Sequence, residues 1–203
     1  MGKIIIILVV LGIITVGGYY IFRTPESKEK IQQPKQEQEQ QSPPQEQISL
    51  PKELILSSSS FEHMGNIPVR YTCDGQSINP PLEISGVADN AKSLVLIMED
   101  PDVPKNIRAD GTWNHWLKFN LSPLLSKIEE GKDPGGLSGL NTSQKLKYIA
   151  PCPPDREHRY FFKLYSLDTM LNLKEGATKS QIEQAMENHI LQQTSFIGLY
   201  KRQ

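Results

Sequence analysis

Apolar and polar positions fall into three unlike blocks along the chain. Residues 4–22, IIIILVVLGIITVGGYYIF, form an uncharged apolar run of 19 residues. As a helix rising about 1.5 Å per residue the run would span roughly 29 Å, close to the hydrocarbon thickness of a bilayer. Lys3 precedes it, Tyr19 and Tyr20 occupy interfacial-belt positions, and Arg23 closes it. No small-residue cleavage site follows, so the pattern predicts an uncleaved transmembrane anchor over 1–23, with a cleaved signal peptide as the rival reading. Residues 24–50 are Gln, Glu, Lys, Pro and Ser with almost nothing apolar. Such a segment cannot bury enough surface to offset its chain entropy, which predicts a disordered linker. At roughly 5–6 Å × √n it would hold the rest of the chain about 30 Å from the bilayer.

From 51 to 203 short apolar stretches alternate with Pro, Gly, Asn and Asp, which predicts one folded domain of short strands. KSLVLIMED (92–100) reads as a strand buried on both faces, and HWLKFNL (115–121) as a short aromatic strand. RYFFKLYSL (159–167) places Tyr160, Phe162 and Leu164 on one side, and Arg159, Phe161, Lys163 and Tyr165 on the other. SFIGLYKR (195–202) is again strand-like, and SFEHMGNIPVRYTC (60–73) reads as a Gly-Asn turn followed by a β-favouring run. One segment has helical spacing: TKSQIEQAMENHILQQT (178–194) opens with Thr178 and Gln181 in capping-box register and repeats Ile182, Ala185, Met186, Ile190 and Leu191. The pattern therefore predicts a mainly β sandwich with a peripheral C-terminal helix.

Charge narrows the function classes. Lys and Arg number 22 against 23 Asp and Glu, a net charge of -1, so there is no electrostatic case for a nucleic-acid partner. A short basic N-terminus ahead of the apolar run has the form of an export signal. The expected location is the cell membrane, single-pass, with the domain outside the cytoplasm.

Three clusters join ionisable residues to strand ends: MEDPDVP (98–104), DGTWNHWLKFN (110–120) and APCPPDREHRYFFKLYSLD (150–168). Asp100 follows a buried strand beside two prolines, His115 opens the next strand, and His158 opens a third with Tyr160 two residues on. An imidazolium, a phenol and loop N–H groups could together hold an anion, and rigid prolines lower the entropy lost on binding. In that reading affinity falls as pH rises past the ordinary imidazole value of about 6.5. Asp100 suits a bare anion poorly; it could fix a histidine tautomer or accept the ammonium of a zwitterion.

With IPVRYTCDG upstream, the motifs DPDVP, WNHW, APCPP and HRYFFKLYSLD resemble the phosphatidylethanolamine-binding protein (PEBP) family, in its prokaryotic, Raf-kinase-inhibitor-like branch. The resemblance covers residues 57–202 and implies a PEBP-like β-sandwich with a small anion or phospholipid-headgroup pocket at one edge. Carried over by motif, the pocket comprises Asp100, His115, Cys152, Pro153, His158 and Tyr160, with Asp102 and Trp113 as supporting neighbours. It implies a binding protein rather than an enzyme, without cofactor or metal. Its ligand would be a small phosphate-like or zwitterionic headgroup. A regulatory or inhibitory protein partner is the alternative.

Two departures stand out: Ala150 occupies a position where the family usually has Gly, and the turn before His158 is a clipped, charged DRE. A metal-dependent hydrolase or a Cys152–His158 nucleophile pair is a weaker alternative. Cys73 and Cys152 are the only cysteines. An exported domain permits their disulfide, yet the resemblance explains both positions without one, so the pairing stays open.

Overall fold

The computed structural model describes residues 52–203. The apolar run 4–22 and the linker 24–50 lie outside the described residues, and among those described no helix is long and apolar enough to cross a membrane. Nine strands and one α-helix follow in the order β1 (Ile55–Ser57), β2 (Gly65–Asn66), β3 (Leu82–Ser85), β4 (Ser93–Asp100), β5 (Trp113–Leu121), β6 (Lys127–Ile128), β7 (Leu137–Ser138), β8 (His158–Leu167), α1 (Lys179–Met186) and β9 (Ile190–Tyr200). They form a six-stranded sheet in the order β2-β9-β8-β4-β5-β7 and a three-stranded sheet in the order β1-β3-β6. Mainly β with one C-terminal helix is the predicted class.

β4 lies inside the larger sheet, antiparallel to both β5 and β8, and all eight of its residues are buried. The period-2 alternation of a strand divides them between two cores. Leu94, Leu96 and Met98 join Leu56, Leu82, Ile84 and Ile128 of the smaller sheet in the interior of the sandwich. Val95 and Ile97 join Leu117, Phe119, Ile182 and Met186 on the outer face, where α1 covers the sheet. Continuous hydrophobicity in this strand is thus the signature of a sheet covered on both sides.

Three elements differ from the sequence expectation: the expected Gly-Asn turn is the short strand β2, paired parallel with β9, and the other two are the helix end and the run after Pro68. The helix stops at Met186 instead of running to 194, because Asn188 takes a left-handed φ of 65° and ends the turn. Ile190 and Leu191 instead open β9, which pairs antiparallel with β8 from Leu167↔Ile190 to His158↔Tyr200. A long ladder of backbone hydrogen bonds outweighs a helical apolar spacing. The expected strand in IPVRY is a 3-10 turn at Val69–Tyr71, following Pro68, which lacks the N–H a ladder needs. Side chains pack directly onto the backbone at Gly198 of β9: a Cβ there would sit 2.5 Å from the Ile67 Cγ1 and 2.7 Å from the Phe61 Cε2.

Cys73 and Cys152 are joined by a disulfide, their Cα atoms 5.4 Å apart and 79 residues apart in sequence. Closing a loop of that length contributes about 4–5 kcal/mol in the chain-entropy account.

Candidate functional site

The ends of three neighbouring strands and one proline loop enclose a cavity of about 270 Å³, lined by Asp100, Val103, Ile107, Trp113, His115, Ile149, Ala150, Cys152, Pro154 and His158. β4 contributes Asp100 at its C-terminal end, β5 contributes Trp113 and His115 at its start, and β8 contributes His158 as its first residue.

A β-bulge places His115. Met98 pairs with Trp116 while Glu99 pairs with Asn114, so His115 is one extra residue with no partner on β4. In a regular strand Trp113 and Trp116 would face opposite sides of the sheet. The inserted residue brings Trp116 onto the sandwich core and leaves Trp113 and His115 facing the cavity at the core's edge.

Hydrogen bonds fix the ring orientations. His115 Nδ1 lies 2.8 Å from the Ile149 carbonyl oxygen, which can only accept, so Nδ1 carries the proton and donates. Its other nitrogen, Nε2, is buried with no partner and in the neutral ring is a bare acceptor. Burial holds the His115 pKa down to about 4, despite the opposing effects of the Ile149 carbonyl and the Asp100 carboxylate. This corrects the sequence expectation of an imidazolium at this position: at neutral pH His115 is uncharged.

His158 is fully buried and spans two carboxylates, Nδ1 at 2.7 Å from Asp100 Oδ2 and Nε2 at 2.8 Å from Asp155 Oδ1. With both carboxylates ionised, each ring nitrogen faces an acceptor. The other Asp100 oxygen accepts from the Asp102 backbone N–H at 2.8 Å. Its partner His158 holds the exposed Asp155 carboxyl below the usual range. Tyr160 packs edge-on against His115, ring centroids 5.3 Å apart, and its buried hydroxyl makes no hydrogen bond of normal geometry, although the Asp100 carboxylate lies close enough to act on it. Burial, then the negative charge of Asp100, pushes its pKa well above the ordinary phenol value.

Of the residues carried over by motif, Asp100, His115, Cys152 and His158 meet at the cavity, with Trp113 in its wall. Tyr160 stands behind His115. Pro153 does not line the cavity: it borders a neighbouring surface hollow with Lys201 and Arg202, while Pro154 takes the wall position. Asp102 is outside as well. It grips Arg159 through two 2.8 Å hydrogen bonds, and that guanidinium lowers its pKa to about 2. Ala150 lines the wall without a left-handed backbone, so replacing glycine there adds a methyl and no strain. Sequence reasoning missed Asp155, whose only signal was its position three residues before His158, and the apolar wall of Val103, Ile107 and Ile149. Cys152 is oxidised, which removes the thiolate that a Cys–His nucleophile pair needs.

A family profile described as phosphatidylethanolamine-binding protein matches residues 57–201. The chain belongs to the phosphatidylethanolamine-binding protein family. It is similar to a UPF0098 protein of Chlamydia muridarum, 47% identical over 147 residues, which covers 72% of this chain and 98% of that one. A UPF0098 protein of the archaeon Methanothermobacter thermautotrophicus is 47% identical over 153 residues, with the same coverage of 72% and 98%. The crystal structure of a PEBP homologue from Chlamydia trachomatis superposes with a TM-score of 0.74 at 45% identity, covering 75% of this chain and 99% of that one. Escherichia coli YbcL shares the fold, with a TM-score of 0.67 at 21% identity over 74% of this chain and 99% of its own. These bacterial and archaeal relatives place the PEBP domain in a prokaryotic branch of the family.

Proposed function

We propose that this PEBP domain binds a small, phosphate-bearing zwitterionic headgroup and is held at a membrane by its N-terminal segment. The observation that carries the reading is the bare, buried Nε2 acceptor of His115 beside the Asp100 carboxylate. Two acceptors at one wall call for a ligand that brings protons, such as an ammonium or a protonated phosphate oxygen. The unpartnered Tyr160 hydroxyl supplies a donor for a phosphate oxygen once a ligand reorganises the site. A volume of about 270 Å³ lies below the usual range for whole ligand pockets, which suits a headgroup rather than an entire lipid. Apolar walls from Val103, Ile107, Trp113 and Ile149 strengthen such polar contacts by excluding water.

Calorimetric titration of the full chain with phosphoethanolamine and with inorganic phosphate tests the reading. Phosphoethanolamine should bind more tightly than phosphate, and His115→Ala should weaken it roughly tenfold, the value of one good buried hydrogen bond. Equal affinities untouched by His115→Ala would remove the proposal. The membrane tether is supported by residues 4–22 alone. Carbonate-washed membranes should retain the full chain and lose a chain deleted of residues 1–23.

A further inference from the structure

Three prolines, Pro151, Pro153 and Pro154, lie in the segment between Ile149 and His158, which gives the cavity wall Ala150, Cys152 and Pro154. Proline has no N–H to give, so this segment has little means of tying itself to its neighbours through the backbone. Among the described residues, the backbone–backbone hydrogen bonds of 150–157 outside regular strands reduce to one, from the Cys73 N–H to the Pro151 carbonyl at 3.0 Å. Side chains add few ties: Asp155 on His158 at 2.8 Å, and Arg156 Nη2 on the Asp102 carbonyl at 3.3 Å. Burial of Ala150, Pro151 and Pro153 packs part of the segment against the domain, and one further tie is covalent. Cys152, itself a wall residue, is bonded to Cys73 in the loop after the 3-10 turn. That loop is anchored in turn, since Asp74 accepts from Tyr200 Oη at 2.7 Å and from Arg202 Nη2 at 2.8 Å. Cys73 therefore holds the exposed middle of the segment, at Cys152, beside the exposed wall residue Pro154. Cys152 is also an exposed residue, whereas Cys73 is half-buried.

We propose that the Cys73–Cys152 disulfide is a redox latch on the cavity, which a dithiol reductant opens, releasing the 150–157 wall and weakening binding of the small ligand. A thiolate of the dithiol attacks Cys152 Sγ, the Sγ–Sγ bond breaks, and Cys73 leaves as a thiolate that takes up a proton. The second sulfur of the dithiol then closes on the first and displaces Cys152 as a thiol. The reductant ends as a disulfide, having given two electrons, and the protein ends with two thiols. Strands β4, β5 and β8, with their own hydrogen-bond ladders, keep Asp100, His115 and His158 in place. The change is confined to the wall.

The binding arm of this inference rests on the headgroup reading; the structural arm does not. Hydrogen exchange on the full chain, before and after dithiothreitol, should show faster exchange at the Ile149 and Cys73 amides, which the His115 and Pro151 carbonyls protect, with β4, β5 and β8 still protected. Acrylamide should quench Trp113 more strongly in the reduced protein, since Trp116 is 2% exposed and stays shielded. Phosphoethanolamine affinity should fall about tenfold on reduction and return on reoxidation, and Cys152→Ser should match the reduced state under oxidising conditions. Unchanged exchange and quenching on reduction overturn the latch, and so does global unfolding, which would make the bond a general staple. If the oxidised protein binds no phosphoethanolamine while the wall still loosens on reduction, the headgroup reading fails and the latch stands as a control on the cavity.

Discussion

His158 Nδ1 stands 2.7 Å from Asp100 Oδ2, so a fully buried imidazole ties the end of the central strand to the start of β8. The same ring reaches the proline loop through Asp155. Removing the inner carboxylate strands a buried polar ring, whereas removing the outer one exposes its nitrogen to water. Asp100→Ala should therefore destabilise the domain by about 3 kcal/mol, and Asp155→Ala by much less. Urea melts of both variants check this ordering, and the reverse order would mean that the outer contact dominates.

Tyr160→Phe separates binding from packing. The ring keeps its edge-on contact with His115, and the change deletes a buried hydroxyl that has no partner. Stability should hold or rise slightly, by up to about 1 kcal/mol, because an unsatisfied polar group is removed. Phosphoethanolamine affinity should nevertheless drop. A large loss of stability together with unchanged affinity would contradict the role given to the hydroxyl.

Acid should weaken the fold in two steps. Unfolded, His115 titrates near 6.5; folded, near 4. Between those values the unfolded chain takes up a proton that the folded one resists, so stability falls as pH drops from about 6.5 to about 4. The loss from this group is at most about 3 kcal/mol, and above pH 6.5 it adds no pH dependence. Asp102, lowered from 3.8 to about 2 by Arg159, loses its stabilising contribution in a second window between those values. Denaturation midpoints across pH should show both slopes, and His115→Gln should flatten only the upper one.

At the start of α1, the Thr178 hydroxyl accepts from the Gln181 N–H while the Gln181 side chain accepts from the Thr178 N–H. Thr178→Ala should cost about 1 kcal/mol by thermal unfolding, with no change in ligand affinity. The helix covers the outer core, on the other face of the sheet from the cavity.

Local pattern carried much of this fold and less of its site. The apolar run at 94–98 and the alternation at 160–164 announced two central strands, because burial on both faces or on one leaves distinct periods. The capping pair at Thr178 and Gln181 likewise marked a helix start. The helix end was not legible: Ile190 and Leu191 satisfy a helical period and a strand equally well, and only pairing with β8 decides between them. His115 was recognisable by motif, but its charge was not, since that depends on burial and on a carbonyl from residue 149. Pro153 and Pro154 are chemically alike in sequence, and only the folded loop distinguishes the one that turns into the wall.

Asp100, His115 and His158 are mounted on β4, β5 and β8, three adjacent strands at the heart of the larger sheet. These strands open only with the sheet itself, so with the disulfide intact, occupancy of the cavity is linked to survival of the whole domain. Any occupant should then announce itself as a rise in melting temperature. A compound present at a hundred times its Kd adds about 2.7 kcal/mol to the free energy of unfolding. A thermal-shift screen of small phosphorylated amines, run on oxidised protein, thus has a physical reason to find the natural ligand by its effect on the entire fold.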